Sequence, residues 1–317
     1  MLDLTPILDA VRLAADLTRR VQQLHLKGSE KTGREPVTIA DYGSQAILCR
    51  AISLAYPDDA VLAEERADQF VTLVSEESRA HITQLVSSVL GENVTETDLV
   101  TWLEHGRGKE AERTWVIDPV DGTKGFIAMR RYAIAIGVLE GGLPVAGIIG
   151  SPGYNEGLLF HAQGGAAYMQ PISGGEVHRI AVSSTPKDAP NPHVVESAED
   201  SHADHEGLLQ LLADAGITSP VLERIDSQDK YAMVACGDAD LYIRLPREAK
   251  PKHKVWDHIG GTALVQAAGG MVTDLDGSPL DFSLGAILSR NRGMVVSNGQ
   301  LHERVLKALA DWKVPGT

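Results

Sequence analysis

An α/β fold, α+β in its N-terminal half and α/β in its C-terminal half, is what the sequence predicts, on three observations. Helical periodicity fills the first part of the chain, short β-rich runs broken by Gly and Pro follow from Thr114, and from His193 onward strands alternate with helices. Thr5-Pro6 is an N-cap followed by Pro at the first helical position, and Ile7, Val11, Ala14, Thr18 and Val21 recur at helical spacing, so a first helix is expected to about residue 26. The polar stretch 28–36, GSEKTGREP, reads as a loop, and Asp41 is expected to open a second helix over 41–55. Ala60 to Ala63 is a short apolar run ending at Glu64-Glu65. Residues 67–90 carry further helical periodicity, and 104–113 read as charged surface.

TWVID, YAIAIGVLE, PVAGIIG, EGLLFHA and GAAYM predict a mainly antiparallel meander. WVIDPVDGTKGF, residues 115–126, reads as a strand running into a turn, because Asp118-Pro119 starts one well and Asp121-Gly122 closes one well. The Pro-rich segment 183–192, SSTPKDAPNP, is the expected junction between an N-terminal subdomain, 1–184, and a C-terminal one, 185–317. Beyond it HVVES, PVLERID, DLYIRL, GMVTDL and GMVVSN alternate with helices expected near His202, Gln228, Asp257 and Gly299.

Composition excludes several classes of function. No run approaches the ~18 consecutive apolar residues of a membrane span. The N-terminus lacks the pattern of a signal peptide, so a cytoplasmic protein with no membrane partner is expected. A net charge of −14 repels nucleic acid and anionic membranes alike; if the ligand is anionic, bound cations must reverse the local field. Cys49 and Cys236, the two cysteines, are far apart and read as core residues, not as a disulfide or zinc site. H-E-x-x-H, G-x-S-x-G, G-x-G-x-x-G and the P-loop signature are all missing.

What stands out is a set of acids at the ends of elements. Asp41 follows PVTIA, Glu64 and Glu65 end VLAEE, Asp118 and Asp121 lie in WVIDPVD, and Asp257 lies in KVWDHIG. Asp41 and Asp257 have a plain alternative as N-caps, and Glu64-Glu65 as a solvated strand end. Neither accounts for acids pressed against Trp, Val and Ile at each site, where unpaired charge is costly to desolvate. Cations make such clusters tolerable, and oxygen-only ligands select hard ions such as Mg²⁺, Mn²⁺ or Ca²⁺. Paired ions would polarise a phosphate ester and acidify a bound water, which points to phosphomonoester hydrolysis. Thr123 is placed to orient that water, Asp41 to receive its proton, and the backbone N–H groups of Gly122, Thr123 and Lys124 to meet phosphate oxygens.

Glu64-Glu65 after an apolar strand, WVIDPVDGTKGF and WDHIGGTALVQAAGG, in this order and spacing, resemble the lithium-sensitive, magnesium-dependent phosphatases that include inositol monophosphatase and fructose-1,6-bisphosphatase. DPVDGTKGF together with DSQDKYAMVACGDADLYIRLP resembles most closely the 3'(2'),5'-bisphosphate nucleotidase branch. The resemblance implies alternating layers, α-β-α-β-α, and two or three Mg²⁺ ions, for which Mn²⁺ can substitute. It makes Glu64, Asp118, Asp121, Asp257 and the Val120 carbonyl metal ligands, with Asp41 and Thr123 activating water, at a third, weaker metal. It places Ser227, Lys230, Arg244 and a histidine, His202 or alternatively His205, on the nucleotide.

The implied activity is removal of the 3'-phosphate from adenosine 3',5'-bisphosphate, and from its sulfated relative, 3'-phosphoadenylyl sulfate, within sulfur metabolism, by a monomer or homodimer. An inositol phosphate or sugar bisphosphate phosphatase is the alternative within the same chemistry. A non-catalytic metal-binding regulator is the alternative outside it, disfavoured by the presence of both Asp41 and Thr123. The chain departs from the pattern at Ala63, Arg66, Met129-Arg130-Arg131 and the basic loop Arg247, Lys250, Lys252 and Lys254. That loop reads as solvated surface or as a second phosphate clamp.

Overall fold

The computed structural model describes residues 2–27, 35–198, 204–246 and 253–312. Helices α1 (Thr5–Lys27) and α2 (Glu35–Ala55) lead into strand β1 (Ala60–Ala63) and three further helices, α3 (Ala67–Leu73), α4 (Glu76–Leu90) and α5 (Glu96–Glu104). The meander follows as β2 (Arg113–Asp121), the single-turn α6 (Thr123–Ile127), β3 (Ala133–Glu140), β4 (Leu143–Ser151), β5 (Leu158–Gln163), β6 (Ala166–Pro171) and β7 (His178–Ile180). The remainder runs β8 (His193–Glu196), α7 (His205–Asp214), β9 (Val221–Arg224), α8 (Asp229–Cys236), β10 (Leu241–Arg244), α9 (Ile259–Ala267), β11 (Met271–Thr273), β12 (Met294–Ser297) and α10 (His302–Leu309).

Strands β1 to β7 form one sheet in sequence order, antiparallel except for the parallel pair β1–β2. The second sheet has the order β11-β12-β10-β8-β9. Alternation along the strands of the first sheet divides the core into layers, as a period of two requires. Trp115, Ile117, Ile134, Ile136 and Ile148 pack toward α1 and α2, whereas Val116, Ala133 and Ile149 pack toward α8 and α9. The latter helices also support the second sheet through Tyr242 and Val296. On its far face Val194, Leu241 and Val295 meet Leu208 and Leu211 of α7 and Val305 of α10. The layers therefore stack α-β-α-β-α, as expected, and the segment 183–192 falls between the two sheets.

Several elements differ from expectation. Helix α2 starts at Glu35, so Asp41 lies inside it and is not its N-cap; Pro36 sits in the first turn, where its missing N–H costs nothing. The 67–90 segment is broken at Val74-Ser75, where Ser75 Oγ accepts from Ser78 N at 3.1 Å and starts α4 anew. Helix α5, absent from the sequence reading, carries a capping box between Thr95 and Asp98. Asp257 closes a 3₁₀ turn, Val255–Asp257, ahead of α9 instead of starting that helix. Cys49 is buried as expected, but Cys236, at the end of α8, is only half-buried.

Candidate active site

The site begins at a defect in β2. Asp118 pairs with Ala135 of β3 and Asp121 with Ala133, so three steps along β2 oppose two along β3. In a regular strand, residues three apart point to opposite faces; the bulge removes that offset, and both carboxylates face one cavity. Residues 118–121 are therefore strand, not the turn expected from Pro119 and Gly122. Pro119 is tolerated because the pairing of β1 with β2 ends at Ala63 and Ile117, so no ladder donor is lost. Glu64 N extends that pairing to Ile117 O at 3.1 Å, which carries the Glu64 side chain to the same end of the sheet.

Gly122 then turns the chain at φ 89° and starts α6. A side chain there would meet Ser227 Cβ at 3.0 Å, so the glycine permits both the left-handed turn and the approach of the segment before α8. Asp121 Oδ2 accepts from Gln228 N at 2.6 Å, tying the first sheet to α8. Gln228 Nε2 in turn donates to Trp256 O at 3.0 Å, next to Asp257. From the second sheet, Arg244 ends β10 with its guanidinium at the cavity. The cavity, ≈ 220 Å³, is thus walled by the bulged strand on one side and by α8, β10 and the 3₁₀ turn on the other.

Ten of the residues singled out in the sequence line this cavity: Glu64, Asp118, Val120, Asp121, Gly122, Thr123, Ser227, Lys230, Arg244 and Asp257. Asp41 stands behind Glu64 and Glu65, whose charges act on it, and makes no hydrogen bond to Thr123. Lys124 is exposed on α6, outside the cavity wall. His205 is drawn to Glu196, which also accepts from Arg224 Nε at 2.9 Å, and does not line the cavity. His202 and the basic residues Arg247, Lys250 and Lys252 lie outside the described residues, whereas Lys254 lines the cavity with its ammonium over the Trp256 ring. Arg66 turns away to pair with Asp68 at 2.8 Å.

The sequence reading missed Gln45 and Gln228. Gln45 makes a two-point contact with the backbone of Glu65, donating to its O at 2.8 Å and accepting from its N at 2.9 Å, and so fixes the Glu64-Glu65 turn against α2. Gln228 could have been suspected from its place beside Ser227 at a helix start; Gln45 left no signal, since its partner is twenty residues away in sequence.

Electrostatically the wall is divided. Burial, followed by mutual repulsion among Glu64, Asp118, Asp121, Asp257 and Asp41, holds Asp118 well above the usual carboxylate range. Burial and Asp121 raise Asp257, and burial, Asp257 and Glu65 raise Glu64, which is exposed as a residue while its carboxyl is crowded by others. Asp121 is raised by burial less forcefully, because Lys230 and the Gln228 N–H oppose it. Burial brings Lys230 down to about 8. Its ammonium donates to Ile225 O and Ser227 O, both at 2.7 Å, and lies 5.4 Å from the Tyr242 ring centre.

Three features suit this cavity to a hard divalent cation. The donors are all oxygens, Asp118 Oδ1 is buried with no hydrogen-bond partner, and the carboxylates repel one another more than the cations beside them offset. Among the described residues no three His, Cys, Asp or Glu side chains already stand at ligating distance from a common point. The acids nevertheless line the same space.

With this geometry in view, the resemblance extends over the whole chain. Residues 4–313 match the model of the inositol monophosphatase family. A 3'(2'),5'-bisphosphate nucleotidase of Emericella nidulans is 34% identical, with 95% of each chain covered. A probable 3'(2'),5'-bisphosphate nucleotidase of Arabidopsis thaliana is 36% identical, covering 95% of this chain and 92% of that one. Among solved structures, inositol monophosphatase from Anabaena superposes with a TM-score of 0.62 over 98% of both chains at 23% identity, a likeness of fold.

Proposed function

The chain belongs to the inositol monophosphatase family, and on that premise we propose that it is a Mg²⁺-dependent phosphomonoesterase that removes the 3'-phosphate of adenosine 3',5'-bisphosphate. One observation carries the reading: four carboxylates and two cations, the buried Lys230 and the half-buried Arg244, meet on a single cavity. Acids alone would suit a metal store, and cations alone an anion site. Together they suit a phosphate ester held between metal and protein. The names of the nucleotidase relatives support the nucleotide as substrate over an inositol phosphate.

In this proposal Glu64, Asp118, Asp121, Asp257 and the Val120 carbonyl hold two or three Mg²⁺ ions, or Mn²⁺ in their place, with Asp41 beside a third. Bound there, the ions supply Lewis-acid polarisation of the phosphoryl oxygens and lower the pKa of a water to the range of a usable nucleophile. Thr123 Oγ orients the attacking water, and the Asp41 carboxylate takes its proton. Gly122, Thr123 and Lys124 offer backbone N–H groups to the phosphoryl oxygens. Ser227, Lys230 and Arg244 orient the nucleotide so that its 3'-ester lies at the acids, and Trp256 and Tyr242 exclude water from that wall. Cleavage of 3'-phosphoadenylyl sulfate, a cytoplasmic role in sulfur metabolism and sensitivity to Li⁺ belong to the same proposal.

Phosphate release from adenosine 3',5'-bisphosphate, inositol 1-phosphate and fructose 1,6-bisphosphate, each with Mg²⁺ or with chelator, tests it. The nucleotide is expected to give the highest kcat/KM, and only with Mg²⁺. Preference for either sugar phosphate overturns the substrate, and a flat response to all three overturns the enzyme.

A further inference from the structure

We propose that a second, smaller cavity adjoining the catalytic one is a subsite for the second phosphate of the substrate, with Arg130 as its clamp; this rests on the phosphomonoesterase reading and deepens it. The cavity is ≈ 190 Å³ and carries Arg130, Arg131 and Arg224 against Glu223 and Asp226. Asp226 belongs to the walls of both cavities, so the two are neighbours across one side chain. In a chain of net charge −14, a surplus of guanidinium groups around one space runs against the overall field and makes that space the local exception.

The arginines are not equivalent. Arg131 is fixed, its guanidinium 4.4 Å from the Tyr154 ring centre and 3.5 Å from Glu223. Arg224 is fixed by the buried Glu196 at 2.9 Å. The Arg130 side chain is 65% exposed, and the carboxylate it faces, Asp226, stands 3.9 Å away, too far for a hydrogen-bonded pair. The planar fork of Arg130 is therefore the group able to close on an incoming phosphate, against two arginines that already hold their positions.

Its backbone is held firmly. Arg130 N donates to Gly125 O at 2.7 Å, and a side chain at Gly125 would lie 2.0 Å from Arg131 O, so α6 and this loop are in direct backbone contact. Met129, just before, is held at φ 56°, a left-handed conformation that costs a non-glycine residue about 1 kcal/mol. Only the Arg130 side chain remains to move. A substrate with its scissile phosphate at the acids and a second phosphate here spans both cavities, which distinguishes a bisphosphate from a monophosphate ester.

The test compares Arg130→Ala with the unaltered enzyme on adenosine 3',5'-bisphosphate and on adenosine 3'-monophosphate, with Mg²⁺. The ratio of kcat/KM for bisphosphate over monophosphate is expected to fall about tenfold, through KM, as loss of one charge-assisted contact implies. A ratio within twofold of the unaltered value overturns the subsite. If the unaltered enzyme hydrolyses neither nucleotide, the proposed activity has failed, and calorimetric binding of the same two nucleotides decides the subsite separately. A preference for the bisphosphate that Arg130→Ala abolishes then supports it, and equal binding of the two overturns it.

Discussion

Replacing Asp118 by Asn is expected to stabilise the metal-free protein while destroying its activity. Asp118 is 2% exposed, one of its carboxylate oxygens has no hydrogen-bond partner, and Glu64, Asp121, Asp257 and Asp41 all repel it. An amide of the same shape carries no charge and can donate to a neighbouring carboxylate. Relieving one buried, poorly compensated charge is worth about 2 kcal/mol. With an unfolding entropy of about 2.1 cal/mol/K per residue, that gain raises Tm by about 3 °C in a chain of 317 residues. Mg²⁺ is expected to reverse the order. At a hundredfold excess over its Kd, a cation bound only by the folded state adds about 2.7 kcal/mol, or about 4 °C, which the variant forgoes. Thermal melts with EDTA and with Mg²⁺ read both effects. A variant less stable than the unaltered protein in EDTA refutes the claim that the acids are held against their mutual repulsion.

Lys230→Ala leaves the carbonyls of Ile225 and Ser227 without their donor, so it is expected to lose about 2 kcal/mol of stability in urea titrations as well as raising KM for the nucleotide. A higher KM with an unchanged midpoint contradicts the structural half of that role. Gly122→Ala forces a side chain into a left-handed conformation and against Ser227; a destabilisation of about 1–2 kcal/mol with a fall in kcat is expected, and wild-type values for both would remove the argument for that turn. His302 is buried between Ser297 and Thr273 hydroxyls, and burial holds its imidazole down at about 4. The unfolded chain binds this proton near 6.5, so the contribution is complete above about pH 6.5 and is lost as pH falls toward 4. Urea midpoints from pH 7.5 to 4.5 should fall less steeply in His302→Gln than in the unaltered protein; equal slopes count against it.

The layered fold was legible because its strands alternate or run apolar between Gly and Pro, and the meander needs no distant partner to be read. Helix α2 was harder, since Val37, Thr38 and Ile39 resemble a strand and only packing against α1 overrides that preference. The bulge in β2 was illegible for a different reason: it is defined by the count of residues on β3. Asp118 and Asp121 thus line one cavity from a bulged strand and not from the expected turn. Lys230 shows the same limit, because its unfavourable place in the first turn of α8 could be read against the helix dipole, whereas its anchoring to two backbone carbonyls needed the fold.

Helix α9 lies unusually close to the first sheet. A side chain at Gly147 of β4 would stand 2.2 Å from Gly260 O, and one at Gly260 would stand 2.8 Å from Ile136 O. Asp257 is carried three residues ahead of Gly260, so the spacing between its carboxylate and those of the bulged strand is inherited from backbone touching backbone. A methyl group at either glycine acts as a wedge, prising one jaw of the cavity from the other although no acid has been substituted. Silent enzymes with intact catalytic residues are therefore to be sought among changes at this seam.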